Sequence, residues 1–484
     1  MDPLYRSAFA LADDIRAGSR SSRELLEFFL QRIERFNPAL NAVVALDTER
    51  ARARADAADA AVAAGEDWGP LHGVPITIKD ALATEGLVTV GGIPACKDNV
   101  PEQSAVAVQR YVDAGAIIFA KTNVPFMSAD LQTYNDVYGV TNNPWDVTRT
   151  SGGSSGGAAA ALAAGLTPLE LGSDIGGSIR TPSHFNGVYG HKPSFNLVPQ
   201  RGHLPPGDGV LSEGDLSVIG PLGTCPQDLE KALDIVAGPL PEEGVAWQVQ
   251  LPAARATAAG DLRVAVWLDH PAFPVDDEIQ AAIAAAAQTL ADAGAQVDLE
   301  ARPQFDVEEQ HSNYAMLLSA VMGAGMPEAV FEGASAAVAA ADPDDRSLLM
   351  QQMRGIAQSH REWLRQNEKR QHYRAQWAQF FQSYDVLLCP CASVTAFPHD
   401  HNPDLYQRQL QVNGKAVPYL NILGWAGLTL NSYLPVTAAP VGVSSEGLPI
   451  GMQIVGPYLE DRTPLAVAGM LQQLHRGFVA PPGY

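Results

Sequence analysis

The segment from Gly152 to Ser194, GGSSGGAAAALAAGLTPLELGSDIGGSIRTPSHFNGVYGHKPS, constrains this chain more than any other stretch. It sets two glycine-flanked serines, Ser154 and Ser178, on either side of an Ala-rich run. A serine nucleophile needs an open approach for a carbonyl and backbone N–H groups aimed at the oxygen that becomes negative; glycine lets the backbone come that close. Ala158–Ala164 reads as a helix, so the Gly/Ser run before it reads as a loop held at a helix N-terminus rather than as a flexible linker.

The sequence Asp174-Ile-Gly-Gly-Ser178-Ile-Arg180 permits a tight turn. In it the N–H groups of Ile175, Gly176, Gly177 and Ser178 can converge into an oxyanion pocket, with Ser178 as the nucleophile. A serine hydroxyl attacks poorly until a neighbouring base takes its proton. Lys79 ends the β-rich run Gly73-Val-Pro-Ile-Thr-Ile-Lys79. At the end of a buried apolar strand its ammonium loses hydration, which lowers the pKa and makes a neutral lysine base available. The Ser154 hydroxyl can then relay a proton between the two.

Composition narrows the setting. The chain of 484 residues is 46% hydrophobic and 18% charged, as expected of a folded globular protein. Its net charge of −22 repels phosphate backbones and anionic lipid, so neither nucleic acid nor a membrane is an expected partner. The amino terminus, MDPLYRSAFALADDIRAGS, carries acids where a secretory signal carries a basic end, and the expectation is a cytoplasmic protein. Four cysteines do not make a disulfide framework. Cys389 and Cys391 with His399 and His401 offer four zinc-capable ligands, but at tighter spacing than zinc sites use. Cys389 reads instead as an apolar filler ending a buried strand. No cofactor motif is present: there is no Gly-rich nucleotide loop with a following lysine and no metal-ligand pattern.

The chain alternates helices and strands. Ser21-Ser-Arg-Glu24 has the form of a capping box ahead of a helix, and residues 49–65 read as a second helix ended by Gly65. Residues 104–121 and 277–298 each read as a helix stopped by a glycine and followed by a strand, and Leu262–Trp267 reads as another strand. The region 196–222 reads as a long irregular connection, 240–260 as loosely patterned, and 305–382 as mostly helical. The last of these either caps the site or packs on the sheet. This grammar predicts an α/β fold: a single large domain with a mixed, mostly parallel central sheet covered by helices on both faces.

Two glycine-framed serines with an upstream lysine resemble the amidase signature family, whose hydrolases use a Ser–Ser–Lys triad. Ser178 lies 24 positions after Ser154, the family's separation. The likeness also covers Lys121-Thr-Asn-Val-Pro125, Thr141-Asn-Asn-Pro-Trp-Asp146, Gly190-His-Lys-Pro193 and Gly447–Gly456, hence nearly the whole chain. It implies the amidase signature fold, with 1–66 as N-terminal helices, 67–222 as the signature core, 240–380 as a variable substrate-shaping region and 381–484 as the rest of the core. It also implies that Lys79 is the base, that Ser154 is a bridging serine in a cis peptide, and that Ser178 forms an acyl-enzyme, with Ser155, Asp174 and Arg180 supporting the network. Phe126, Met127, Leu131, Tyr134 and Tyr138 are implied to border the acyl pocket. His184, His191 and Tyr433 depart from the family's pattern.

The expected activity is cleavage of a small to medium, partly apolar carboxylic amide, with anilides, esters and carbamates open to the same acylation. Oligomeric state is left open, a homo-oligomer included. Three rivals stand beside this reading. One is the glutamine-hydrolysing catalytic component of a tRNA-dependent amidotransferase. Another is a Ser-His-Asp esterase, because Gly152–Gly156 also fits G-x-S-x-G; that elbow must follow a strand, and the polar, turn-prone 142–149 argues against one. The third is a binding protein on the same scaffold.

Overall fold

The capping box forms as the sequence predicts: the Ser21 hydroxyl accepts from the Glu24 N–H while the Glu24 carboxylate accepts from the Ser21 N–H, opening the helix Ser22–Leu40. Such a cap contributes about 1 kcal/mol. Its apolar stripe, Leu25, Leu26, Phe29 and Ile33, is buried. The helix Thr48–Ala63 follows. Gly65 then turns the chain at φ +79°, a conformation in which glycine carries no Cβ penalty. A computed structural model describes residues 2–484 except 206 and 208, so Pro206 and Asp208 of the 196–222 connection lie outside the described residues.

Eight strands form the main sheet, in the order Gln296–Asp298, Arg263–Val266, Val386–Pro390, Pro449–Val455, Val436–Val443, Tyr189–Lys192, Val218–Gly223 and Leu169–Asp174. It is mixed, as expected, but not mostly parallel. Among the described residues five of its ladders are antiparallel, and the two parallel ones sit together at the Arg263–Val266 end. The reason is local: strands 436–443 and 449–455 are joined by a short turn, and 189–192 and 218–223 by a connection with no helix among its described residues, so each pair reverses direction. The strand Val218–Gly223 also corrects the reading of 196–222 as wholly irregular.

Helices cover both faces. Gly156–Ala163 and Arg180–Asn186 pack on one, where an added Cβ on Gly190 would meet Ile179 and Ser183. Pro226–Val236, Asp277–Asp292 and Arg462–Leu474 pack on the other, where Gly223 faces Leu229 and Gly442 faces Ala282.

A second, three-stranded sheet carries Lys79. Pro75–Lys79 runs parallel to Ile117–Thr122, which pairs in turn with Val43–Leu46. Buried Glu170 joins this sheet to the edge strand Leu169–Asp174, accepting from the Thr77 hydroxyl at 2.7 Å and the Thr122 hydroxyl at 2.8 Å. Burial pushes its carboxyl up to about 7. The ends of strands 75–79 and 169–174 thereby come side by side.

The 305–382 region consists of helices Val307–Gly323, Glu328–Ala340, Leu348–Ala357 and His360–Ser383. No helix among the described residues is long and apolar enough to cross a membrane.

Candidate active site

Lys79 ends its strand fully buried, with Nζ 2.6 Å from the Ser154 Oγ and 2.9 Å from the Ser173 Oγ. Burial lowers its pKa to about 7, against the opposing pull of Asp174 and Glu170. Near neutral pH the amine is thus partly uncharged and able to accept a proton. Ser154 follows a cis peptide to Gly153 and stands just before the helix Gly156–Ala163. Glycine is required at 153, because a Cβ there would sit 2.6 Å from the Asp130 carbonyl oxygen.

The turn carrying Ser178 begins where strand 169–174 ends and leads directly into helix 180–186. Gly177 adopts φ +107°, which L side chains avoid. The Ser155 N–H donates to the Ser178 carbonyl at 3.1 Å and ties the two serine loops together. Asp174 organises the turn. Its carboxylate accepts from the Gly177 N–H at 2.8 Å, the Ile179 N–H at 3.0 Å and the Arg180 guanidinium at 2.9 and 3.0 Å. Burial pushes the Asp174 carboxyl up, but the Arg180 charge and these donors outweigh it and hold the pKa at about 2. Arg180 is itself fully buried and also donates to the Ala426 carbonyl, Thr429 and Gln453.

This arrangement corrects one expected role. The Gly177 N–H points at Asp174, so of the four anticipated oxyanion donors only Ile175, Gly176 and Ser178 keep theirs uncommitted to that carboxylate. The acidic residue that fixes the turn takes the N–H for itself.

Ser178, 5% exposed, opens on a cavity of about 300 Å³. Ile175, Gly176 and Leu131 line its floor, and Leu318, Met322, Met326, Met353, Ile356, Tyr419 and Leu423 line its walls. The helices 307–323 and 348–357 therefore flank the site. Of the anticipated pocket residues only Leu131 reaches this cavity. Phe126 is half exposed at the surface, and Met127 sits in a turn at φ +53° with its N–H on the Gly91 carbonyl. Tyr134 accepts from Arg408 and stacks on His401, while Tyr138 gives its carbonyl to Asn41. Sequence reasoning misses the wall residues because Met and Leu at helical spacing look the same in a core and in a pocket.

The other singled-out residues are engaged elsewhere. His399 bonds to Asn142, Cys389 contacts Gln453, and no group of three His, Cys, Asp or Glu among the described residues is arranged to hold a metal. His184 bonds to the Val394 carbonyl and the Gly451 N–H, His191 to Thr437 and Asp461, and Tyr433 to Asp215. None of these three lines the cavity. A short strand, Asp146–Thr150, does precede Ser154, contrary to the turn-prone reading of that stretch. It pairs with Asn142–Asn143 in a separate ribbon and makes a lone bridge from Arg149 to Pro398, outside the main sheet from which a nucleophile elbow would rise.

A family model described as Amidase matches residues 24–465. The chain belongs to the amidase family. This amidase is a hydrolase of C–N amide bonds with the amidase signature fold. It is 31% identical, over 98% of its own length and 97% of the relative's, to a component of the glutamyl-tRNA(Gln) amidotransferase of Synechococcus sp. (strain CC9902). Among solved structures it is similar to a bacterial aryl acylamidase of the amidase signature family, with TM-score 0.81, 27% identity and coverage of 97% and 96% of the two chains. It is also similar to a chain from a vestigial complex bearing on the origins of an s-triazine catabolic enzyme, with TM-score 0.81, 28% identity and coverage of 98% and 100%.

Proposed function

We propose that this amidase is a free-standing enzyme that cleaves small to medium amides with an apolar acyl or aryl part, through an acyl-enzyme on Ser178. One observation carries the reading: Ser178 opens on an apolar cavity, while a buried lysine stands 2.6 Å from the serine of the adjoining loop. In the proposed cycle Lys79 takes the Ser154 proton as Ser154 takes that of Ser178, and the freed Oγ attacks the substrate carbonyl carbon. The N–H groups of Ile175, Gly176 and Ser178 receive the developing oxyanion. Collapse breaks the C–N bond, the proton returns by the same relay to the departing nitrogen, and water then hydrolyses the ester. Anilides, esters and carbamates present the same carbonyl and a leaving group.

The amidotransferase relatives favour a second reading, glutamine hydrolysis with ammonia passed to a partner. The lining argues against it. Glutamine brings an ammonium and a carboxylate, and desolvating them in an apolar site needs charged partners. The Asp130 carboxylate at the cavity already pairs with Arg408 and Tyr419.

The test is intact mass and peptide mapping after treatment with a fluorophosphonate, on wild type and Ser178→Ala, followed by turnover of an anilide panel and of glutamine. The expected result is a single adduct on Ser178, absent from the variant, and anilide turnover exceeding glutamine turnover. An adduct on Ser154 would overturn the assignment, and glutamine turnover alone would favour the second reading.

A further inference from the structure

The hydrogen-bond chain that begins at Ser154 and Lys79 continues past them. The Ser173 hydroxyl, 2.9 Å from the Lys79 Nζ, is also 2.8 Å from Nε2 of His203. The other ring nitrogen, Nδ1, lies 2.9 Å from the Pro205 carbonyl. A carbonyl only accepts, so Nδ1 carries the proton and Nε2 of the neutral ring can only accept. The Ser173 O–H is therefore turned toward His203, and its oxygen lone pairs face Lys79.

That direction matters to a neutral lysine, which has two N–H bonds and one lone pair. One N–H goes to the Ser173 hydroxyl, and the Ser173 carbonyl lies 3.5 Å away for the other. The lone pair is left for the Ser154 O–H. A Ser173 hydroxyl free to rotate would compete with Ser154 as a donor to that same lone pair.

We propose that His203 is a positioning residue: through the Ser173 hydroxyl it aims the Lys79 lone pair at Ser154. The proposal rests on Lys79 being the base. His203 is well placed for this, because its backbone is stitched to the segment just after Lys79. The Ala83 N–H donates to the Gly202 carbonyl at 2.9 Å and the Leu204 N–H to the Ala81 carbonyl at 2.7 Å. Burial and the nearby Lys79 lower the imidazole pKa to about 4, which keeps the ring a neutral acceptor over the working range. The charged groups acting on Lys79 itself are Asp174 and Glu170.

The experiment measures the rate of Ser178 phosphonylation by a fluorophosphonate from pH 5 to 9, which needs no knowledge of the natural substrate. In His203→Leu the plateau rate should fall on the order of tenfold through misorientation. Its acid limb should move to lower pH, because a freed Ser173 O–H can stabilise the neutral amine. His203→Gln, whose side-chain oxygen accepts as Nε2 does, should recover most of the rate and the limb. In a Ser173→Ala background, His203→Leu should have little further effect. An unchanged plateau, a loss without movement of the limb, a loss that Gln does not recover, or full additivity with Ser173→Ala would each overturn the proposal. Lys79→Met in the same assay separates the two readings. Labelling at the wild-type rate would remove Lys79 as base and this inference with it, whereas slow labelling beside a wild-type His203→Leu would remove only the inference.

Discussion

The two serine loops and the helical wall above them are built on opposite terms. In the loops nearly every side chain is buried: Lys79, Ser155, Asp174 and Arg180 are within 1% of full burial, and the polar side chain of each of these four has a hydrogen-bond partner. In the wall, Leu318, Met322, Met353 and Ile356 are only partly buried, and Met326 stands 39% exposed. Where charges lie in a low dielectric, misplacing one group costs several kcal/mol, so each position has one answer. A wall of flexible methionines tolerates many. On the proposed reading, chemistry and substrate choice occupy regions with very different tolerance, and mutation should separate them.

The largest expected effects lie in the loops. Ser178→Ala should abolish hydrolysis, a loss on the order of 10⁵–10⁶-fold, with the melting temperature nearly unchanged because one buried oxygen is removed from a cavity edge. Lys79→Met should cost on the order of 10³-fold or more, as expected for loss of both the base and the relay. Because burial depresses Lys79 to about 7, the base becomes protonated as pH falls through that value. The rate should drop about tenfold per unit below it and level off above it. A profile flat from pH 5 to 9 would break the link between the buried lysine and catalysis.

Asp174→Asn probes the framework. It leaves the Arg180 guanidinium buried without its counter-charge and weakens the acceptors of the Gly177 and Ile179 N–H groups. Breaking such a pair costs about 3–5 kcal/mol, readable as a lower denaturation midpoint. Activity should fall with it, since the same carboxylate shapes the turn under Ser178. A stable, inactive variant would mean that Asp174 serves the chemistry more than the fold.

The contrast also explains which features are legible in the sequence. Serine between glycines, and a lysine closing an apolar strand, are signals because few other jobs need them. The capping box at Ser21–Glu24 and the glycine stops at Gly65 and Gly115 are legible for the same reason, local geometry with few solutions. Strand direction is not: whether 436–443 pairs antiparallel with 189–192 depends on contacts some 250 residues apart in sequence. The Gly177 N–H reads as an oxyanion donor because nothing in the heptapeptide says that Asp174 folds back to claim it. Ser173 and His203 carry no signal, since a serine in a strand and a histidine in a Gly/Pro-rich connection are ordinary until the fold brings them to Lys79. Phe126 and Tyr134 draw notice through proximity in sequence, whereas the cavity is completed by helices nearly 200 residues downstream.

The smallest effects belong to the wall and bear most directly on specificity. Met322→Ala enlarges the cavity above Ser178 without touching a polar group of the loops. Each methylene lost from a hydrophobic pocket changes discrimination by about 1–3 kcal/mol at most, and less for a partly exposed side chain such as this one. A short acyl anilide should therefore lose only a few-fold in kcat/KM, mainly through KM, while a longer or branched one should gain. The acid limb near pH 7 should stay where it is, because Lys79 is not among the residues lining the cavity. If Met322→Ala moved that limb, or lowered kcat equally for all acyl lengths, the wall would be acting on the proton relay, and the division between a strict chemical core and a permissive pocket would fail.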